Sequence, residues 1–331
     1  MRRNNKSTYL ILALICLVLF NIGSMIIQLN KDNSLIKALP TFNIKTLILE
    51  TFNISPKGKV EFNKIKDNIV DEEDYDIEKM EDFIIINTLE EYESLIIVRD
   101  SQGKNSIENI PEPLNISKVK LDKTKPYIFI YHTHATEGYK PFESDSYYTT
   151  NNNKNVIRIG NTMTKVLEAS EHKIIHETKH HDRPSFNKSY SRSLNTLNKV
   201  KEENDNLKFF FDIHRDGIDK DAVYYERFLA KSKIKINDMD VATFSLVVGP
   251  DNPNYEKVLG FAKYIKAVSD ALYPELCTGI IIKPIGKYNL FVSDYAALIE
   301  VGSNLNTIDE ANECAKLVGE ILDIVIRGLA E

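Results

Sequence analysis

From about residue 121 to its end, the chain alternates short apolar runs with amphipathic helical patterns, and this alternation constrains the fold most. Apolar runs of about four to eight residues are typical of buried strands, whereas apolar residues recurring every three or four positions indicate helices. Strands alternating with helices predict an α/β fold, with a central mixed or mostly parallel sheet and helices on both faces. The predicted strands are residues 127–131, 172–176, 208–213, 243–248 and 296–301, and the predicted helical faces lie within residues 156–167, 190–200, 255–265 and 311–329.

Polar clusters occur at the ends of three of these predicted strands. They occupy residues 132–137, 212–217 and 300–304. In α/β folds ligands gather at the carboxyl ends of the strands, so we expect the three clusters to converge on one crevice. A carboxylate buried there is costly without a partner, and a bound cation would provide one.

The first cluster places two imidazoles and a carboxylate within six positions. In a strand, alternate side chains share a face, so His132 and His134 would leave the sheet together and the following turn would return Glu137 towards them. Taken alone, the pattern favours one His that caps a strand end and another that is solvated. The two other clusters favour the metal-site interpretation.

Two imidazoles and one carboxylate oxygen form a ligand set suited to catalytic Zn²⁺, with a fourth position left for water. Zinc lowers the pKa of such a water to about 7. A second carboxylate, which does not bind the metal, is then needed to move protons, and Glu300 is the candidate. The residues therefore predict a metal-assisted hydrolase that acts on an amide or an ester.

The motifs of residues 121–331 resemble, in combination and order, those of the stage II sporulation protein P family of endospore-forming bacteria. The resemblance implies a membrane-anchored zinc N-acetylmuramoyl-L-alanine amidase that removes stem peptides from peptidoglycan, with cross-link endopeptidase activity as well. It also implies a role in forespore engulfment beside the stage II sporulation proteins D and M. The motifs are His-Thr-His-x-x-Glu at 132–137, Asp-Ile-His-Arg-Asp-Gly at 212–217, and Ile-Glu-Val-Gly at 299–302 followed by Asn306-Thr307.

The resemblance also implies roles for individual residues. His134 and His214 match the two His ligands of the wider zinc amidase superfamily, and Glu300 matches its catalytic Glu. Asp212 lies two residues before His214, on the same face of a strand, which suits an acceptor for the other nitrogen of that ring. Arg215 is a candidate to orient the substrate or the residues around the metal and to stabilise an oxyanion, although a structural salt bridge is an equal alternative.

The third metal ligand is open at this point. Members of the superfamily place a glutamate at the start of the helix after the first strand, where this chain has Asn-Asn-Asn-Lys-Asn at 151–155. Either Glu137 is the ligand and His132 lies outside the ligand set, or His132 binds the metal itself.

Three further positions are weaker candidates. Asn289 belongs to a loop expected to contact substrate, but Leu290 follows it where the family usually has Gln. Residues 180–182, His-His-Asp, form an alternative metal cluster by composition alone. His172 and His176 have the spacing of a helical metal pair, but the two isoleucines between them favour a strand, in which they would lie too far apart.

The N-terminus predicts a membrane anchor. Arg2, Arg3 and Lys6 precede an uncharged stretch at 7–30, and residues 9–27 alone are long enough to cross the roughly 30 Å hydrocarbon layer at about 1.5 Å per residue. A cleaved signal peptide is the alternative, but the apolar run is long for one and no Ala-x-Ala site follows it. Basic residues on the short N-terminal side place the rest of the chain outside the cytoplasm.

These features divide the chain into three parts. Residues 1–28 form the cytoplasmic tip and the transmembrane anchor, residues 29–120 form an extracytoplasmic spacer or small subdomain, and residues 121–331 form the catalytic domain. Residues 108–115 contain Pro-Glu-Pro and predict an extended linker, because proline disfavours helix at and before its position.

Composition excludes some other classes of protein. A net charge of -6 gives no reason to expect nucleic acid as a partner. Cys277 and Cys314 are widely separated with no nearby Cys, so unpaired core thiols are favoured over a disulfide. Two other functions stay open, a zinc carboxypeptidase or peptidase of the cell wall and an inert peptidoglycan-binding scaffold. A scaffold has no need for metal ligands and a free carboxylate together.

Overall fold

A seven-stranded mixed sheet forms the centre of the computed structural model. All residues that the structure describes belong to one unit of the chain, residues 69–331. The described residues are 84–86, 96–99, 105–108, 116–142 and 146–331.

The elements of the described residues follow the predicted alternation. The strands are β1 (Ile84–Ile86), β2 (Ile96–Arg99), β3 (Asn105–Glu108), β4 (Ile128–Tyr131), β5 (Ile174–His176), β6 (Phe209–Asp216), β7 (Lys233–Ile236), β8 (Met239–Ala242), β9 (Phe244–Val248), β10 (Cys277–Ile282) and β11 (Tyr295–Ser303). The helices are α1 (Val156–Ala169), α2 (Ser189–Glu203), α3 (Tyr225–Lys231), α4 (Tyr255–Leu272) and α5 (Ile308–Leu329), with a short 3-10 helix at Leu290–Val292.

The strand order in the central sheet is β1-β10-β9-β11-β6-β4-β5. Strands β11, β6, β4 and β5 run parallel to their neighbours in that series. Strands β9 and β10 are parallel to each other, but β9 is antiparallel to β11. The prediction of an α/β fold with a mostly parallel central sheet is therefore confirmed.

Helices cover both faces of this sheet. The rings of Phe209 and Phe211 in β6 lie 6.1 and 6.3 Å from the ring of Phe261 in α4. The ring of Phe210 instead has Lys201 of α2 above it, 5.6 Å from its centroid. Because neighbouring side chains of a strand point to opposite faces, α4 and α2 lie on opposite sides of the sheet.

The helical periodicity of the sequence corresponds to buried helix faces. In α1, Val156, Ile159, Met163 and Leu167 are buried, as their three- and four-residue spacing predicts. Helix α1 begins after Asn155, whose side chain accepts a hydrogen bond from the Ile157 amide at 3.0 Å. Asn155 ends the polar run at 151–155 and caps the helix.

A buried polar network joins the start of β4 to α5. The Tyr127 hydroxyl lies 2.6 Å from Nδ1 of His172, whose Nε2 lies 2.7 Å from Oδ1 of Asp323. Arg327 donates two hydrogen bonds to the same carboxylate, at 2.6 and 2.8 Å. His172 therefore links two parts of the fold and is not part of a metal pair with His176.

Several elements were not predicted. Strand β10, helix α3, the β7-β8 hairpin and strands β1 to β3 lie outside the predicted strands and helices. Strand β1 pairs with β10 at one end of the central sheet, although it lies inside the predicted spacer, residues 29–120.

Within the described ranges, no helix combines the length and apolar character needed to cross a membrane. The predicted anchor at residues 9–27 lies outside those ranges.

Candidate active site

The three predicted polar clusters meet at one region of the central sheet. Glu300 in β11 is paired in register with His214 in β6, and Tyr131 at the end of β4 is paired with Asp212 in β6. Strand β6 extends to Asp216, so His214 lies inside a strand and not after it as predicted, whereas Glu300 lies inside β11, as the predicted strand at 296–301 implies. The ladder between β11 and β6 keeps both backbones extended past the end of their apolar sequence.

His134, His214 and Glu137 lie together. The rings of His134 and His214 are 5.2 Å apart and nearly perpendicular, and Oε2 of Glu137 lies 3.5 Å from Nδ1 of His214. All three residues are buried. Oε2 of Glu137 also accepts a hydrogen bond from the backbone amide of Arg215 at 2.9 Å, which fixes the carboxylate beside the two rings.

Asp212 lies on the other side of the His214 ring. Its Oδ1 is 3.0 Å from Nε2 of His214, an ion-pair distance without hydrogen-bond geometry. The Asp212 carboxylate is fixed by Thr133, whose amide donates to Oδ1 at 2.8 Å and whose hydroxyl donates to Oδ2 at 2.6 Å. Burial disfavours a charged imidazole, but the carboxylates of Asp212 and Glu137 outweigh it and raise the pKa of His214 well above its ordinary value.

Glu300 presents a buried carboxylate oxygen to this group. The side chain is half-buried, but its Oε2 atom is inaccessible to solvent and has no hydrogen-bond partner among the described residues. Burial raises the pKa of Glu300 to about 8; His214 opposes this shift, and the carboxylates of Asp216 and Glu137 add to it.

His132 turns away from this group. Its Nδ1 lies 2.9 Å from the carbonyl oxygen of Ile213, and its Nε2 lies 2.9 Å from Nε2 of His176. A carbonyl only accepts hydrogen bonds, so Nδ1 carries the proton, and Nε2 of a neutral His132 accepts from His176. Burial, followed by the neighbouring His176, lowers the pKa of His132 well below its ordinary value. Both ring nitrogens are therefore engaged away from His134 and His214.

The expectation that His132 and His134 leave one strand face together is wrong. Strand β4 ends at Tyr131, and residues 133–136 form a turn in which the alternation of a strand no longer applies. The turn is held by Asp182, whose Oδ2 accepts from the amide of Thr136 at 2.9 Å and from its hydroxyl at 2.5 Å.

Arg215 fixes the chain that follows Glu137. Its guanidinium donates to three backbone carbonyls, those of Gly138 at 2.7 Å, Asp216 at 3.0 Å and Tyr147 at 3.0 Å. All three guanidinium nitrogens are engaged in this way. The structure places Arg215 among the residues that fix the backbone around the site.

Asn289 lies outside the group of His134, Glu137 and His214 but supports it through hydrogen bonds. Its amide nitrogen donates to the carbonyl of Tyr190 at 2.9 Å and to the hydroxyl of Ser193 at 3.0 Å. Ser193 in turn accepts from the hydroxyl of Thr133 at 2.9 Å. Asn289 is therefore connected to the residues that hold Asp212, and Leu290 is buried beside it.

The side chains of the alternative metal cluster at residues 180–182 contact three different parts of the chain. His180 lies 2.8 Å from Oδ1 of Asn152, and His181 lies 2.8 Å from the carbonyl of His132. Asp182 accepts from Thr136. These side chains support the turn after β4 and do not meet at one point.

Sequence reasoning missed Phe186 and Ser189, which contact His134. The Phe186 ring stacks on the His134 ring, with centroids 4.0 Å apart and planes 1° apart. The Ser189 hydroxyl lies 3.3 Å from Nδ1 of His134. Neither residue was part of an apolar pattern, and the one available signal was their position shortly after the alternative cluster at 180–182.

The donor types fit a zinc ion, whereas the spacing is not that of a closed site. No three His, Cys, Asp or Glu side chains within the described part of the chain are already arranged around one point to hold a metal. His134, His214 and Glu137 nevertheless provide two imidazoles and a carboxylate, the ligand types of catalytic zinc. The buried Oε2 of Glu300, which lacks a partner, indicates that a cation, a proton or a substrate donor belongs beside it.

Comparisons with solved structures give remote similarities. Cwp6 from Clostridium difficile is 14% identical, with 62% of this chain and 29% of that chain covered and a TM-score of 0.36. The N-acetylmuramoyl-L-alanine amidase AmiC2 of Nostoc punctiforme is 13% identical, with 63% and 97% covered and a TM-score of 0.34. An N-acetylmuramoyl-L-alanine amidase from Clostridium difficile 630 is 13% identical, with 61% and 93% covered and a TM-score of 0.36.

Comparisons with sequences are more specific. Stage II sporulation protein P of Bacillus subtilis (strain 168) is 28% identical over 210 residues, which are 60% of this chain and 50% of that protein. The chain thus spans about half the length of this relative. The family model of stage II sporulation protein P matches residues 30–323, so the similarity begins well before residue 121. On the extent of that match, the chain belongs to the stage II sporulation protein P family.

Proposed function

We propose that this chain is a zinc-dependent N-acetylmuramoyl-L-alanine amidase that hydrolyses peptidoglycan during sporulation, in forespore engulfment. One observation carries the proposal: His134, Glu137 and His214 come together beside Glu300, whose buried Oε2 has no hydrogen-bond partner among the described residues. Membership of the stage II sporulation protein P family supports the choice of peptidoglycan as the substrate.

In this proposal His134, Glu137 and His214 hold the zinc ion. Zinc supplies Lewis acidity, which polarises the amide carbonyl and makes water a stronger nucleophile at neutral pH. Asp212 fixes the orientation of the His214 ring through Nε2, 3.0 Å from its Oδ1. The backbone amide of Arg215 fixes the Glu137 carboxylate, so the ligands are positioned before substrate binds.

Glu300 moves the proton. It accepts a proton from the attacking water and returns one to the amine of L-alanine as the lactyl amide bond breaks. Its Oε2 has no hydrogen bond within the described residues to give up when it does so. The pairing of Glu300 with His214 across β11 and β6 keeps this carboxylate next to the metal ligands.

Digestion of purified peptidoglycan by the full-length protein tests the function. We expect soluble fragments to form, a chelator to stop the reaction, and added zinc to restore it. Mass spectrometry of the products identifies the bond cut: free stem peptides that begin with L-alanine indicate the amidase, whereas cleaved cross-links or shortened stems indicate a peptidase. An unchanged rate in the presence of the chelator would contradict the metal-dependent mechanism.

Variants separate the role of Glu300 from that of the ligands. Glu300→Gln should lower the rate by at least about a hundredfold while zinc stays bound. Replacement of His134 or His214 by Ala should release the zinc, as measured by plasma mass spectrometry. Glu256→Gln, a change at an exposed position of α4, is the matched control and should leave both quantities unchanged.

The location and the partners are part of the same proposal. Residues 9–27 anchor the chain in the membrane with the catalytic part outside the cytoplasm, and the stage II sporulation proteins D and M are its partners. Protease protection in intact cells checks the orientation, and co-purification from sporulating cells checks the partners.

A further inference from the structure

Two exposed aromatic rings border the candidate site. Phe186 is 42% exposed and Tyr148 is 47% exposed, although both are large hydrophobic side chains. One face of Phe186 is stacked on His134, and the Tyr148 ring lies edge-on to Phe186 with the centroids 6.0 Å apart. The two rings therefore form a continuous surface, which we call the aromatic ledge, that begins at a proposed metal ligand.

The chain on the Phe186 side of the ledge is held in place. The carbonyl oxygen of Phe186 accepts a hydrogen bond from the hydroxyl of Ser189 at 2.5 Å and from its amide at 3.2 Å. Arg192 donates to the carbonyls of His181 and Ser185, on the chain that leads to Phe186. The exposed ring is thus carried by a segment with several fixed contacts.

Arg215, which also positions Glu137, holds the Tyr148 side of the aromatic ledge. The guanidinium of Arg215 lies 5.6 Å from the centroid of the Tyr148 ring, and it donates to the carbonyl of Tyr147 at 3.0 Å. Because the backbone amide of Arg215 also binds Glu137, the ledge and the proposed ligand set share one support. The distance between the ledge and the reacting groups is therefore fixed.

The chemistry of the ledge favours a neutral, ring-shaped ligand. Aromatic rings that keep one face or edge in water bind flat, partly apolar surfaces and leave the polar groups of the ligand at the rim. The guanidinium groups of Arg192 and Arg215 brace the ledge and direct their N-H donors to backbone carbonyls. A pyranose ring, with apolar C-H faces and hydroxyls at its edge, fits such a surface better than an anionic stem peptide does.

We propose that Tyr148 and Phe186 form a sugar-binding subsite, on which a pyranose ring of the peptidoglycan glycan strand stacks beside His134. The proposal rests on the proposed function for the identity of the substrate. It adds that the enzyme recognises the glycan side of the scissile bond through ring stacking and not through the peptide alone.

Binding without turnover tests the subsite. The full-length protein with Glu300→Gln is titrated calorimetrically with two probes, hexa-N-acetylchitohexaose as a peptide-free glycan and a synthetic stem peptide beginning with L-alanine. Adding Tyr148→Ala or Phe186→Ala should weaken chitohexaose binding roughly two- to tenfold. Tyr148→Phe keeps the ring and should bind normally. Tyr224→Ala, which removes an exposed aromatic ring from the loop before α3, is the control and should also bind normally.

Three results would overturn the subsite: no chitohexaose binding before the ledge is changed, equal binding by the parent and both alanine variants, or an effect confined to the stem peptide. The last result would assign the ledge to the peptide.

Hydrolysis of peptidoglycan by the chain with Glu300 intact separates this proposal from the proposed function. Glycan binding that depends on Tyr148 in a protein without hydrolase activity would contradict only the function. Hydrolysis by a protein whose glycan binding is unchanged by Tyr148→Ala would contradict only the subsite. If both proposals hold, Tyr148→Ala raises KM more than it lowers kcat, because the ring contributes to binding and not to the chemical step.

Discussion

Oδ1 of Asp212 lies 3.0 Å from Nε2 of His214, and Oε2 of Glu137 lies 3.5 Å from Nδ1 of the same ring. The imidazole is thus held between two carboxylates that occupy opposite nitrogens. The charge of Asp212 beside Nε2 favours the ring orientation in which Nδ1 lies on the side of Glu137. A proposed ligand is therefore oriented by a residue that does not itself belong to the ligand set.

Asp212→Asn should weaken zinc binding and lower hydrolase activity by about ten- to a hundredfold. The amide keeps the size of the carboxylate and an acceptor oxygen for Thr133, but it removes the charge beside His214. Zinc affinity is measured by competition with a chromogenic chelator. Asp205→Asn, at an exposed position after α2, is the control, and an Asp212→Asn protein with unchanged zinc affinity would contradict the orienting role.

Glu137→Gln and His132→Asn should have different effects. Glu137→Gln should lower zinc content, because a neutral amide is a poor zinc ligand. His132→Asn should leave zinc content unchanged and lower the free energy of unfolding by about 1–3 kcal/mol, because the Ile213 carbonyl and His176 lose a buried partner. Metal analysis and chemical denaturation measure the two quantities. Loss of zinc in a folded His132→Asn protein, with zinc retained in Glu137→Gln, would reverse the assignment.

Gly160→Ala should destabilise the protein although Gly160 lies inside α1. A Cβ atom there would lie 2.6 Å from Nε2 of His176 and 2.8 Å from Nε2 of His132, closer than real contacts allow. Forcing these rings apart should cost about 1–3 kcal/mol, against a gain of roughly 1 kcal/mol in helix propensity. Thermal unfolding followed by circular dichroism measures the change. Asn161→Ala, at the exposed neighbouring position, is the control, and a higher Tm for Gly160→Ala would show that the rings move freely.

Acid should weaken the network that joins β4 to α5. Burial alone would raise the pKa of Asp323, but hydrogen bonds from His172 and Arg327 outweigh it and hold this pKa below its ordinary value. A lowered pKa in the folded state means that the stabilisation is present above the pKa of the unfolded chain, about 3.9, and is lost as the pH falls through the folded value. Asp323→Asn should lower Tm at pH 7 and reduce the fall in Tm between pH 5 and pH 3.

Thermal melts at several pH values check this behaviour. Asp205→Asn serves again as the control, because its exposed carboxylate lies outside the network. A pH dependence of Asp323→Asn equal to that of the unchanged protein would show that other carboxylates govern the acid sensitivity.

The parts of the fold that local sequence determines were predictable. Helix α1 has buried residues at regular helical spacing, and its pattern alone predicts both its existence and its buried face. Strand β6 was predicted from three consecutive phenylalanines, which fit a strand buried on both faces. Strand β10 was missed because Gly279 interrupts its six residues and its pairing with β9 shifts register there. Its strand conformation depends on neighbours that are distant in sequence.

The candidate site, too, was predictable from the sequence only in part. The convergence of the three clusters followed from the position of carboxyl ends in a parallel sheet, and the pairing of Glu300 with His214 agrees with it. The direction of His132 could not be predicted, because it depends on His176, 44 positions away, and on the end of β4 at Tyr131. Phe186 was missed for the same reason, since its stacking on His134 is a tertiary contact.

The pairing of β1 with β10 has a practical consequence for the boundaries of a truncated protein. A chain shortened to residues 121–331 would lose Ile84–Ile86 and leave the outer backbone of β10 without its partner. Exposed strand edges template pairing with other chains, so that fragment is a candidate for self-association, whereas a fragment that begins ahead of Ile84 keeps the edge covered. Apparent oligomers of the shorter fragment would then reflect a missing strand and not the assembly state of the protein.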